Sequence, residues 1–176
     1  MQSFGEQKVI QGLVPDDFRS FFENFDTVGA SANATIETIT KCGTDSGVDT
    51  LKIVAKAPWP ISNRVMFSTR YLEMDVDGGH MMLFCGAGNK HFVDDEAIFS
   101  AKEKKNLVVA MVHLSGWWVK PAKNEAGEVI GTHMLYYSAI DAGGNIPTFV
   151  QNSQGPKTSL NSIKGTVAWA KANKAK

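Results

Sequence analysis

Two arginines stand out in this chain because of where they fall in an otherwise apolar strand. The run PWPISNRVMFSTRY, residues 58–71, places Arg64 and Arg70 an even number of residues apart. Side chains alternate across a strand, so Arg64, Met66, Ser68 and Arg70 share one face, and Val65, Phe67, Thr69 and Tyr71 share the other. The second face is aromatic and β-branched. The first combines two guanidiniums, a thioether and a hydroxyl, from which the polar end of an apolar ligand cavity would be built. Two arginines on one strand face are more often solvated than buried, so the rest of the chain has to decide.

Other chemistry is sparse. Cys42 and Cys85 lie in separate expected strands, neither has a His or second Cys at ligand spacing, and His80, His91, His113 and His133 are scattered. The thiols read as small, reduced core residues, and neither a metal nor a cofactor is expected.

The elements that must position the arginines form a strand-rich pattern with helices early and late. Lys8–Val14 reads as a strand, and Pro15-Asp16-Asp17 then opens a helix, with Pro in the first turn and acids at its positive end. Phe18, Phe21, Phe22 and Phe25 follow at i, i+3, i+4 and i+7, a stripe expected to pack on a sheet. Strands are expected at Ala34–Lys41, Asp49–Lys56, Glu96–Glu103, Leu107–Val119 and His133–Ile140, besides the Arg64 strand and HMMLFCGAG, which Asp77-Gly78-Gly79 joins as a hairpin. Short turns between strands imply an antiparallel sheet. Near the end, Pro147 opens a helix that Gly155-Pro156 stops or kinks, and a second helix runs from about Thr158. Leu160, Ile163, Val167 and Ala170 form its apolar stripe, Trp169 lies opposite, and Gly165 costs roughly 1 kcal/mol relative to Ala, as suits a helix that must move.

Composition agrees with a single domain spanning residues 1–176. The chain is 43% hydrophobic and 20% charged with a formal net charge of +0, so nothing in its charge draws it to nucleic acid. MQSFGEQKVIQ has neither a basic start nor an apolar signal core, and no stretch approaches the ~18 apolar residues of a membrane span. A soluble, cytoplasmic protein is expected.

Three segments carry a family likeness: PWPISNR (58–64), LSGWWVKP (114–121) and YYSAIDAGGNIPTFVQN (136–152). In that order and spacing the chain resembles the START family of lipid-binding domains, whose members show a P-x-P-x-S-N-R-D strand, an S-G-[YW]-x-x-x-P strand end and a D-x-x-G-x-[IL]-P lead-in to the C-terminal helix. The resemblance covers roughly Lys8–Ala172. It departs from the pattern at Val65, where Asp usually follows the Arg, and at the N-terminus, where a helix and first strands are missing or very short.

The resemblance implies an α+β helix-grip fold, a curved antiparallel sheet wrapped around a long C-terminal helix with an internal lipid cavity. It implies binding and transfer of one lipid, phospholipid slightly ahead of sterol, by a monomer in transient contact with membranes. Arg64 matches the position where phospholipid-binding members present a cation to the phosphate. Arg70 matches the position where sterol-binding members place a buried Arg paired with an acid on the adjacent strand. That acid's place falls near Leu51, with Asp49 a substitute if the register slips. Lipid-binding residues are therefore expected to be Arg64, Met66, Ser68 and Arg70 from the strand and Ile163 and Val167 from the helix. The gate would be that helix and the loop Gly86–Ala97, with Phe92 at its tip. Helix-grip domains also include cyclases and hydrolases, so an enzyme using Arg70, Asp49, Tyr136, Tyr137, His80 or His113 is the alternative, although no nucleophile–base spacing supports it. A protein-interaction module presenting the Phe stripe or Trp117-Trp118 is a third reading.

Overall fold

The computed structural model describes residues 2–57, 61–86 and 107–174. Strand β1 (Gln2–Gln11) is followed by a 3-10 turn (Pro15–Phe18) and two short helices, α1 (Arg19–Glu23) and α2 (Phe25–Ala32). Strands β2 (Ile36–Asp45), β3 (Val48–Ala55), β4 (Arg64–Val76), β5 (Gly79–Gly86), β6 (Val108–Val109), β7 (Met111–Lys123) and β8 (Val129–Asp141) precede the long helix α3 (Thr148–Asn173). The sheet runs β1-β8-β7-β5-β4-β3-β2 with antiparallel neighbours, and β6 lies parallel to the start of β4. This is the α+β helix-grip architecture expected from the sequence. The expected strand Glu96–Glu103 and the loop tip Phe92 lie outside the described residues.

Turn chemistry sets the register. Ser46-Gly47 and Asp77-Gly78 have φ of 50° and 79°, and 52° and 72°, which makes each a two-residue hairpin loop whose twist matches its strands. The β2–β3 and β4–β5 ladders follow, and with them the alternation of β4: Met66 and Ser68 face the helices, while Val65 and Phe67 join a smaller cluster with Val54 on the other side. Strand β1 begins earlier than the expected Lys8, so the N-terminal strand is neither absent nor short.

Phe18, Phe21, Phe22 and Phe25 are all buried, as the helical spacing required, but Asn24 divides the segment into two short helices. Arg70 holds that joint. Its guanidinium donates to the carbonyls of Phe22 and Glu23, each at 3.3 Å, filling acceptors that a helix end leaves free. It also donates to Asp49, which stands directly opposite on β3, with Leu51 opposite Ser68. No register slip is needed. Asp49 further accepts from Lys41 Nζ at 2.6 Å and Thr44 Oγ1 at 2.7 Å. Burial alone would raise this carboxyl, but the bonds from Lys41, Thr44 and Arg70 outweigh it and bring it from 3.8 to about 2.

The C-terminal helix differs from expectation. It continues through Pro156 as one element rather than breaking at Gly155-Pro156. Losing one backbone bond at a proline bends a helix without ending it when the remainder is anchored, and here Ile163, Val167 and Ala170 are buried in the main core. Leu160 is exposed, and Trp169 packs on Phe21 with ring centroids 5.4 Å apart. Gly165 marks a close approach: a Cβ there would stand 1.7 Å from the carbonyl oxygen of Ala32, at the end of α2.

Two predictions follow from these contacts. Alanine is the better helix former by about 1 kcal/mol, yet Gly165→Ala should lower stability by about 1–3 kcal/mol through overpacking against Ala32. Urea denaturation measures the sign, and a stabilised variant would show that the helices do not touch there. The depressed Asp49 carboxyl contributes stability that is present above the unfolded-state value of 3.8 and is lost as pH falls through about 2. Asp49→Asn should therefore destabilise by about 3 kcal/mol at pH 7, leaving Arg70 buried without its partner, and should flatten the stability loss between pH 4 and pH 2.

Candidate ligand cavity

Between the sheet and α3 lies a cavity of about 250 Å³ whose wall changes character along its length. One end is deep and aromatic. Phe25 from α2, Phe84 from β5, Trp117 from β7 and Tyr136 from β8 are all buried there, with Ser68 and Ser115 between them. Trp117 and Tyr136 are cross-strand neighbours whose rings stand 4.7 Å apart, and Trp117 also contacts Phe25 and Phe84. The other end is rimmed by half-buried or exposed residues: Lys56, Ala57, Ile61, Ala142 and Ile146. Arg64 stands at this outer end.

Arg64 is 8% exposed. Its Nε donates to the carbonyl of Ala142 at 2.8 Å, and its two terminal nitrogens donate to the carbonyls of Gly143 (3.3 Å) and Ser62. The SNR segment and the DAGG segment, 78 residues apart in sequence, thus meet through one side chain. Among the described residues no carboxylate pairs with Arg64, and burial presses its guanidinium below the ordinary value. A guanidinium has five N–H groups. Three of them donate to backbone carbonyls, and among the described residues the positive charge has no counter-ion.

The helix side of the cavity is polar. Asn33, at the end of α2, donates to Ser162 Oγ at 3.0 Å and accepts from Thr35, both from its N–H at 3.0 Å and its hydroxyl at 2.7 Å. From α3 the cavity is lined by Val150, Thr158 and Ser162, the last two one helical turn apart. Ile163 and Val167 were expected on this wall and are not on it. Both are buried, but the helix turns them toward the core, where Ile163 approaches Gly5 of β1. A step of one residue rotates a side chain by 100°, enough to exchange an apolar wall for a hydroxylated one.

Of the four expected strand residues, Arg64, Met66 and Ser68 line the cavity and Arg70 does not. Arg70 has the right parity, but α1 and α2 cover that end of the strand, so Phe22, Glu23 and Asp49 take up its donors. The residues missed as a lining set were Trp117, Ser115, Phe25, Phe84 and Ser162. Alternation in β7 pairs Ser115 with Trp117 on one face and Trp118 on the other, where Lys120 Nζ sits 5.0 Å over its ring. That signal was present, but which face turned inward depends on β5 and β8.

The acid–base candidates are dispersed. Tyr136 lines the cavity and its hydroxyl lies 3.3 Å from Ser115 Oγ, whereas Tyr137, His80, His113, Asp49 and Arg70 are not on the wall. His80 is buried away from it, Nδ1 accepting from the Asp75 N–H at 3.2 Å and Nε2 3.1 Å from Asp16. Asp16, Asp75 and His80 lie close enough together to ligate an ion, but Arg19 already bridges the two carboxylates, at 3.3 Å and 2.5 Å. Among the described residues no helix is long and apolar enough to cross a membrane.

No family model and no curated protein matches the chain. Solved structures do. Human STARD10 superposes with a TM-score of 0.74 at 10% identity, over 96% of this chain and 62% of that one, so the chain spans under two thirds of STARD10. Human StAR-related lipid transfer protein 5 gives 0.69 at 16% identity, over 96% of this chain and 74% of that one. The Zhui aromatase/cyclase from Streptomyces sp. R1128 gives 0.57 at 9% identity, over 97% and 94%. With the sheet order, the gripped helix and the cavity between them, these likenesses establish that the chain has the helix-grip fold of the StAR-related lipid-transfer domains.

Proposed function

We propose that this protein holds one lipid or lipid-like molecule in the cavity between its sheet and α3 and carries it between membranes, as a cytoplasmic monomer that touches bilayers transiently. The desolvation logic supports it: each methylene leaving water gains about 0.8 kcal/mol, and an apolar wall with a few placed polar groups is what such a ligand requires. The likeness in fold to lipid-transfer domains points the same way.

Arg64 carries the reading of the head group. A buried cation without a carboxylate partner is costly unless an anion reaches it, and among the described residues Arg64, at the rim, meets carbonyls and no carboxylate. Arg70, the candidate for a sterol-type pair, is turned away and neutralised by Asp49. Both favour an anionic or zwitterionic head over a sterol. At about 250 Å³ the cavity is small beside the ~300–1,000 Å³ of drug-sized sites, which favours a slender single chain.

The enzyme reading has one observation in its favour, the Tyr136 hydroxyl inside the cavity beside Ser115, and one likeness, to a cyclase. Against it, no His, Asp, Glu or Cys is among the described residues that line the wall, so Tyr136 has no proton partner of the usual kind.

Native mass spectrometry of the purified protein should find one lipid per chain, unchanged in mass on incubation. A small molecule converted to product would favour the enzyme. Displacement of a fluorescent fatty acid should show lysophosphatidylcholine competing better than cholesterol. Arg64→Gln should weaken the lysolipid about 10-fold, the scale of a charge-assisted hydrogen bond, and cholesterol little. Strong competition by cholesterol with none by the lysolipid reverses the assignment.

A further inference from the structure

Strand β4 outruns the strand beside it. Its register with β3 ends where Asp49 stands opposite Arg70, and the neighbouring chain then turns back through Ser46-Gly47, whereas β4 continues to Val76. Leu72, Glu73 and Met74 are therefore paired on one side only, with Met82, Met81 and His80 of β5. In an antiparallel ladder successive residues turn their N–H and C=O groups alternately to the two sides. Along this stretch the groups facing away from β5 meet no other backbone group among the described residues. A second cavity, of about 280 Å³, lies here, lined by Gly47 and Val48 of the β2–β3 hairpin and by Arg70, Tyr71, Leu72 and Glu73 of β4. Consecutive residues of a strand point to opposite faces, so a cavity touched by four in a row runs along the strand's edge. Sheets guard such edges with Lys, Pro or a bulge. The bulge in β4 lies past this cavity, between Met74 and Val76, and the residues along it include Tyr71, 48% exposed, and Leu72, 38% exposed.

Charge narrows what fits there. Residues 45–48 and 71–79, which frame the cavity, hold four acids, Asp45, Glu73, Asp75 and Asp77, and no Lys or Arg. Arg19 binds Asp75, while Asp45, Glu73 and Asp77 meet no cation among the described residues. A second copy of this edge would set acids against acids, and like charges placed opposite one another destabilise a ladder. Leu72 and Glu73 point to opposite faces, so the complementary strand carries apolar side chains on one face and Lys or Arg on the other. We propose that residues 72–74 of β4 dock an extended, basic segment of a partner protein, which joins the sheet as an antiparallel strand in line with β3. The lining of this cavity shares no residue with that of the cavity under α3, so a partner held here leaves the lipid site uncovered.

Capped hexapeptides of alternating Lys and Val, and of alternating Glu and Val, test it on the full chain by amide NMR. The Lys peptide should shift, and protect from hydrogen exchange, amides within residues 71–74. The Glu peptide should bind about 10-fold more weakly, the scale of a few cross-strand pairs changed from opposite to like charge. Glu73→Lys, at an exposed position, should bring the two peptides to within about 2-fold of each other. The Lys peptide with every backbone N–H methylated keeps its charges but cannot donate to a ladder, and should bind about 10-fold more weakly than its parent. Equal binding of the Lys and Glu peptides, undiminished binding of the methylated one, or protection confined to the edge strands β1 or β2 would overturn the proposal. So would the absence of binding at millimolar peptide.

Discussion

Four phenylalanines form a wedge between the sheet and α3. Phe18, Phe21, Phe22 and Phe25 are buried almost completely, and they fill the interlayer space beneath the C-terminal half of the helix, where Phe21 meets Trp169. Among the described residues nothing of comparable bulk fills the space beside β3 and the start of β4. Protein interiors are close-packed, so an apolar void there would be unfavourable. At roughly 24 cal/mol per Å³ a dry cavity of about 250 Å³ would cost at most about 6 kcal/mol, comparable to the whole net stability of a domain. The same wedge that stabilises one half of the fold thus leaves the other half suited to a guest.

Two arginines on one strand face meet different fates for one physical reason, what lies above them. Over Arg70 the joint of α1 and α2 presents carbonyls, β3 supplies Asp49, and the guanidinium becomes a structural clasp. Over Arg64 there is a loop whose carbonyls accept hydrogen bonds but carry no charge. The first arginine is satisfied in both hydrogen bonding and charge. Among the described residues the second meets only uncharged carbonyls.

Placement of α3 follows from contacts at both ends. Arg64 ties the DAGG loop, just before the helix, to the start of β4, while Gly165 lets the helix settle on the end of α2. Between them Thr158 and Ser162 face the cavity, and Asn33 bonds Ser162 across to α2. Glycine at this position permits the close approach.

Much of this was legible in the sequence. Period-two alternation identified β4 and the face it shares between Arg64, Met66, Ser68 and Arg70, Asp77-Gly78-Gly79 marked a hairpin, and the 3.6-residue spacing marked the buried Phe stripe. Those features are local, set by backbone geometry that a few neighbouring residues control. What the sequence left open was which residues stand opposite one another across elements. The Asp49–Arg70 pair depends on the β3–β4 register, the choice of Trp117 over Trp118 on the pleat of β7 between β5 and β8, and the replacement of Ile163 and Val167 by Thr158 and Ser162 on the rotation of α3 about its axis. A shift of one residue in a strand or 100° in a helix exchanges one wall for another. Only the packed tertiary structure selects among them, because only there do the volumes of the facing layers compete for the same space.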